Sequence, residues 1–204
     1  SASSGGISGF IHAQDNISGT RGFLVDKVVM TQGNTLNNVT WTGGTDTDWA
    51  TAANWDINTV PSATDNVIIP DVTNAPIIGA ITGAEINNST ITEPDGINIT
   101  SGGSLIVNGT SSGNITYNRT LATTNWYLVS SPVVGETYDN AYVTANGIAS
   151  GNGNNRGIGP YTTSDDSWDY MQAGETALFS AGPGYSVKRS SSGAVSFTGT
   201  LNVD

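Results

Sequence analysis

The chain has 204 residues, enough for one all-β domain or two small ones with a real core. Only 11% of them are charged and the net charge is −11, with six Lys and Arg against 17 Asp and Glu. That balance excludes a phosphate-binding nucleic-acid surface and disfavours anionic polysaccharides and anionic membranes, leaving divalent cations and neutral glycans open. The absence of cysteine rules out disulfides, thiolate metal sites and a cysteine nucleophile. Gly, Asn, Ser and Thr are abundant, which suits short strands joined by tight turns and predicts almost no helix.

Residues 1–38 read as an N-terminal extension carrying one strand, the end of a preceding module. SASSGGISG is flexible in composition. Gly22–Met30, GFLVDKVVM, is the first convincing strand. His12 is the one histidine and stands between flexible stretches, so it reads as a surface residue rather than a ligand or general base. No apolar run approaches the ~20 residues of a membrane span, and Ser1 is not followed by a charged and then apolar leader. The chain therefore reads as a mature or excised piece of something longer.

Residues 39–121 form the next unit. Val39–Val72 carries three of the five tryptophans, Trp41, Trp49 and Trp55. Gly43-Gly44 forces a turn, and Asp46, Asp48 and Asn54 are side chains that hydrogen-bond neighbouring backbone in such loops. The three indoles would supply buried area that so polar a loop lacks. Val67-Ile68-Ile69 then enters a core. Farther on, Ile97 and Ile99, Leu105 and Val107, and Ile115 and Tyr117 alternate with polar residues between Gly-Ser turns, which predicts one or two solenoid coils. Asn87, Asn88, Asn98 and Asn108 are expected to stack or cap turns.

From residue 122 the texture becomes short strands with aromatics: WYLVSSPV, AYVT, ALFS, GYSVKR and AVSFTG. Regular spacing with turns between them predicts an antiparallel β-sandwich over 122–204. It stops at Asp204 where a sheet would ordinarily continue. The loop GIASGNGNNRGIGPY evokes phosphate binding by its glycines, but it follows no βαβ strand and opens no helix; it reads as a long surface loop with Arg156 as a ligand or partner contact. The fold class expected is all-β: a short parallel β-helix or solenoid-like region adjoining an antiparallel β-sandwich.

The blocks W-T-G-G, D-W, N-W-D and V-P-S-A-T-D-N-V-I-I-P resemble the segment that begins β-helical regions in large secreted and surface proteins of Bacteroidota, adhesin-like cargo of the type IX secretion route among them. N-W-Y-L-V-S-S-P-V at Asn125–Val133, A-S-G-N-G-N-N-R-G-I at Ala149–Ile158, G-P-G-Y-S-V-K at Gly182–Lys188 and F-T-G-T-L-N at Phe197–Asn202 resemble the module that often follows. The resemblance covers about four fifths of the chain. It implies an architecture and an extracellular or cell-surface location, not a reaction.

Two carboxylate clusters are candidates for Ca²⁺: Asp46 and Asp48 with Asp65 or Asp71, and Asp165, Asp166 and Asp169 in TSDDSWDYM. The second could also supply a glycosidase acid and base. As turn residues on a solvated surface they need neither role, and that reading is preferred. The function expected is a non-catalytic structural or adhesive module, partnered by other surface-protein modules or by copies of itself. A carbohydrate-binding module is the alternative, with Trp168, Tyr170 and Tyr161 stacking on neutral glycans; it requires exposed, coplanar rings, whereas a purely structural module buries them. A glycoside hydrolase or lyase fragment ranks last, because six cations leave little for an acidic sugar.

Overall fold

In Asn66–Ile69, Gly83–Ile86, Asn88–Ile91 and Ile97–Ile99 every second side chain is buried, the period-two pattern of strands with one face on a core. The computed structural model describes residues 37–80 and 82–203. The strand expected at Gly22–Met30 and His12 lie outside the described residues. The protein is all-β: among the described residues strands dominate, and helix is confined to one six-residue α-helix and two short 3-10 turns.

The strands up to Leu121 are β1 (Asn38–Thr40), β2 (Asn66–Ile69), β3 (Ile77–Ile78), β4 (Gly83–Ile86), β5 (Asn88–Ile91), β6 (Ile97–Ile99), β7 (Ser104–Val107), β8 (Ser111–Ser112) and β9 (Ile115–Leu121). Their pairings with one another are all parallel, in the orders β1-β2-β5-β8, β3-β6-β9 and β4-β7. Parallel neighbours put like positions on top of one another. Ile69 therefore meets Ile91, Ile78 meets Ile99 and Ile97 meets Ile115, giving buried apolar columns.

Polar columns obey the same register. Asn66 Nδ2 donates to Asn38 Oδ1 at 3.1 Å across a 28-residue step. Asn88 Nδ2 then donates to Asn66 Oδ1 at 2.7 Å across 22 residues, and Thr110 N to Asn88 Oδ1 at 2.6 Å. The buried Ser89 hydroxyl is matched by Ser111 Oγ at 2.8 Å, again 22 residues on. Asn87, Asn98 and Asn108 also bond side chains on neighbouring rungs, Asn66, Asn118 and Glu85. The longer first step holds the tryptophan loop, where Trp41, Trp49 and Trp55 are buried against each other at centroid distances of 4.7–6.5 Å.

The later strands are β10 (Tyr127–Ser130), β11 (Val133–Val134), β12 (Thr137–Tyr138), β13 (Ile158–Thr162), β14 (Ser167–Trp168), β15 (Ala177–Leu178), β16 (Gly184–Val187) and β17 (Gly193–Leu201), and their pairings are antiparallel. Strand β17 pairs along the whole of β9, so residues 39–121 and 122–204 share one sheet of order β11-β17-β9-β6-β3. A second sheet has the order β10-β16-β13-β14. Phe179 contacts Tyr138, Tyr185 and Phe197, which come from strands of different sheets, and Tyr142 besides.

One expected strand is a helix. AYVT lies inside α1 (Asn140–Ala145). Asp139 precedes it in extended conformation and accepts from Tyr142 N at 2.9 Å, an N-cap that outweighs the β preference of Tyr and Val. Burial of Tyr142 and Val143, with the Tyr142 hydroxyl donating to Ser196 O at 3.0 Å, fixes the turn against β17.

Gly113 turns the chain from β8 into β9 at φ 81°, and a Cβ there would lie 2.1 Å from Ile91 O. We expect Gly113→Ala to cost about 3 kcal/mol or more in urea unfolding, through strain and collision with the β5 backbone together. An unchanged midpoint would mean that the turn between β8 and β9 relaxes freely.

Candidate functional site

Sheet register assembles a cleft beside Trp126. Tyr127 pairs with Val187, and Val187 with Ile158 on its other side, so the next residues along, Trp126, Lys188 and Gly157, come together at one end of three strands. Lys188 N donates to Gly157 O at 2.7 Å, and Ala149 N to Lys188 O at 2.9 Å. The glycine-rich stretch, expected as a long surface loop, is held as a narrow hairpin: Gly157 N donates to Ala149 O at 2.7 Å and Gly151 N to Asn155 O at 2.8 Å. At its tip Gly153 and Asn154 have φ of 64° and 70°.

The result is a cavity of about 230 Å³ lined by Trp126, Tyr170, Arg156, Lys188, Asn155 and the hairpin backbone. Trp126, 49% exposed, lies 5.0 Å from Tyr170 at an interplanar angle of 39°. Lys188 Nζ stands 5.6 Å from the centroid of the Trp126 ring. Arg156 Nη1 donates to Asn154 O at 3.1 Å and Asn155 O at 3.4 Å, and among the described residues its Nε and Nη2 have no acceptor.

Of the ligand candidates read from sequence, Tyr170 and Arg156 thus meet in one cleft. Tyr161 and Trp168 form a separate pair across β13 and β14. They are 43% and 37% exposed, as carbohydrate stacking requires, but their planes cross at 63°, so they make a corner and not a coplanar platform. The Tyr161 hydroxyl donates to Asp166, and that bond raises its pKa above the ordinary phenol value. Trp126 and Lys188 were not singled out. The alternation of WYLVS was the available signal, since it puts Trp126 and the exposed Leu128 on the outward face opposite buried Val129.

The carboxylates do not converge. Among the described residues no three Asp, Glu or His side chains are grouped as a metal would need. Asp46 Oδ1 accepts from Asn54 Nδ2 at 2.6 Å and Asp48 N at 2.8 Å, and Asp48 Oδ1 from Ala50 N at 3.0 Å, which makes both of them loop braces. Asp65 accepts from Ser62 N and Oγ at 2.9 and 2.8 Å. Asp166 has φ 52° in the β13–β14 turn, while Asp165 N donates to Thr162 O at 3.3 Å and Asp169 N to Pro160 O at 3.0 Å.

Among the described residues no helix is long and apolar enough to cross a membrane. A family described as a domain of unknown function (DUF8693) matches residues 40–111, the tryptophan loop and the parallel rungs. No curated protein matches the chain. No solved structure matches it either.

Hydrogen bonds from Asn54 hold Asp46 below the ordinary carboxylate value of 3.8. Burial pushes Asp65 the other way, but donation from Ser62 and Asn37 outweighs it and leaves this carboxyl lowered too. Both groups stabilise the fold fully above pH 3.8, and the contribution is lost as pH falls through their lower folded values. Glu136, raised above 4.5 by burial, acts with opposite sign in a higher window. Urea midpoints should therefore fall below pH 4, and Asp65→Asn should flatten that fall; a variant as acid-sensitive as the parent would show that Asp65 is not responsible. Millimolar Ca²⁺ should leave the melting temperature unchanged, and a clear rise would locate an ion that the carboxylate geometry does not suggest.

Proposed function

We propose that the chain is a non-catalytic structural and adhesive module of a bacterial extracellular or cell-surface protein, of the Bacteroidota type IX cargo kind that its sequence resembles. It works beside other modules of its parent or copies of itself. In this reading the parallel ladders are coils of a short β-helix, and the strands from β10 onward form an adjoining antiparallel β-sandwich around Phe179. The observation that supports it most is the in-register column of Asn38, Asn66 and Asn88, in which each side-chain amide bonds the equivalent one on the next rung. Stacks of like units contact only their neighbours and extend along one axis, so they serve as spacers that hold a binding surface at a distance.

A second reading, a carbohydrate-binding module, is favoured by the exposed rings of Trp126, Tyr161 and Trp168. Monomeric proteins bury most such area unless a partner uses it. Both readings predict capture without turnover. Beads coated with the chain should be retained on some glycan-bearing surfaces in calcium and in chelator alike, and glycans incubated with the chain should be recovered unchanged. Shortened or unsaturated products would overturn the non-catalytic reading, and loss of capture in chelator would bring calcium back into it.

A further inference from the structure

The Trp126 cleft differs in charge from the rest of the molecule. The chain carries 17 acidic residues and six basic ones. Yet two of those six, Arg156 and Lys188, line this one cavity, and no Asp or Glu does. Among the described residues neither cation has a carboxylate partner. Lys188 is positioned by the Trp126 ring and by backbone bonds to both limbs of the hairpin, at Gly157 and Ala149. Arg156 is anchored through Nη1 alone, with Nε and Nη2 left for a ligand.

Three features narrow what such a cavity takes. Its two positive charges beside half-exposed aromatic rings call for an anion attached to a body with an apolar face. Its volume, about 230 Å³, is below the roughly 300–1,000 Å³ typical of pockets for drug-sized ligands, which fits one ring and not a run of them. The net charge of −11 repels a polyanion beyond the first few ångströms, so the anion is a single charge in an otherwise neutral ligand.

Phosphate is disfavoured by the hairpin itself. A phosphate cradle needs convergent backbone N–H groups. Here the N–H of Gly151 goes to Asn155 O, that of Asn155 to Asn152 O, that of Arg156 to Met171 O and that of Gly157 to Ala149 O. Among the described residues that the hairpin gives this lining, only Ser150 has an N–H left without an acceptor, and one N–H makes no cradle; the positive charge comes from side chains, and Arg offers the planar fork that matches a carboxylate.

We propose that the cleft between Trp126, Tyr170, Arg156 and Lys188 binds one acidic sugar residue of a largely neutral glycan, its carboxylate on Arg156 and Lys188 and its ring face against Trp126 and Tyr170. This deepens the adhesive reading and rests on it, since it gives the adhesive surface its ligand class. It also reverses the expectation, drawn from overall charge, that acidic sugars are disfavoured.

The test titrates the whole chain with methyl glucuronide, methyl galacturonide, methyl glucoside and inorganic phosphate, following the Trp126 indole N–H by NMR at low and high salt. Saturable binding of at least one uronide is expected, with the glucoside and phosphate each at least about tenfold weaker, which corresponds to one charge-assisted hydrogen bond. Arg156→Gln and Lys188→Gln should each weaken the uronide about tenfold and leave the glucoside unchanged, while Trp126→Ala, which lacks the indole and is followed by the backbone amide of the cavity-lining Gly157, should remove both; amide spectra verify that each variant is folded. Equal affinity for uronide and glucoside would overturn the anionic assignment, and equal affinity for phosphate would reduce the cleft to a general anion site. No uronide binding by the folded parent would overturn the proposal outright. If the coated beads still adhere in that case, the adhesive reading survives without this cleft; if they do not, both fail.

Discussion

Asn54 is the point on which the tryptophan loop depends. It is wholly buried and its side chain is fully used: Oδ1 accepts from Thr45 N and Asp46 N at 2.9 and 3.1 Å, and Nδ2 donates to Asp46 Oδ1 and Asp48 O at 2.6 and 3.0 Å. Each of those groups, if buried without a partner, would cost about 1–3 kcal/mol, so a single amide resolves the polar burden of the turn from Thr45 to Asn54. Its carbonyl also accepts from Thr42 N and Oγ1. Around this clamp three indoles pack, each worth about 5 kcal/mol of transfer free energy on the order of 200 Å² buried. The loop then joins the stack through Trp49 N to Ile77 O and Ile77 N to Thr47 O, at 3.1 and 2.7 Å. The first rung is set there, and parallel pairing carries its register to the rungs that follow.

Parallel stacking makes each rung a template for the next, and the antiparallel partner β17 ends it on one side. In the antiparallel register of β9 with β17, Thr116 lies opposite Thr198, Tyr117 opposite Phe197 and Asn118 opposite Ser196, whose hydroxyl donates to the Asn118 amide oxygen at 2.7 Å. The change in pairing also brings the aromatic cluster of Phe179 and Tyr185 under the shared sheet. It leaves strands β10, β16 and β13 to present their ends as the Trp126 cleft, held by backbone bonds on a sheet and so fixed without a ligand.

Charge counted over a whole chain and charge at a place are different quantities. Screening confines each side chain's field to about 8–10 Å, so a net charge of −11 governs the approach of a polyanion but not the interior of one cleft. Composition averaged Arg156 and Lys188 into a deficit, whereas antiparallel register put them on either side of Gly157. Asp46, Asp48 and Asp65, which look like a cluster along the chain, serve instead as turn acceptors because each short side chain finds a nearby backbone N–H.

The all-β class, the buried tryptophan loop, the alternating pairs from Ile97 to Tyr117 and the bonding asparagines were legible because each is a local property: period-two burial, turn chemistry and side-chain amides that match themselves at a repeated spacing. The helix at Asn140–Ala145 was not, since one capping aspartate and the burial of Tyr142 against β17 overrode strand propensity. Trp126 and Lys188 are 62 positions apart in sequence, and no local pattern joins them; the pairing of Tyr127 with Val187 does. The sequence by itself determined which residues turn, which alternate and which stack, because short-range sterics and hydrogen bonding decide those. Tertiary structure alone decided where charge and aromatic surface meet, because strand register is a long-range property that brings distant residues within a few ångströms.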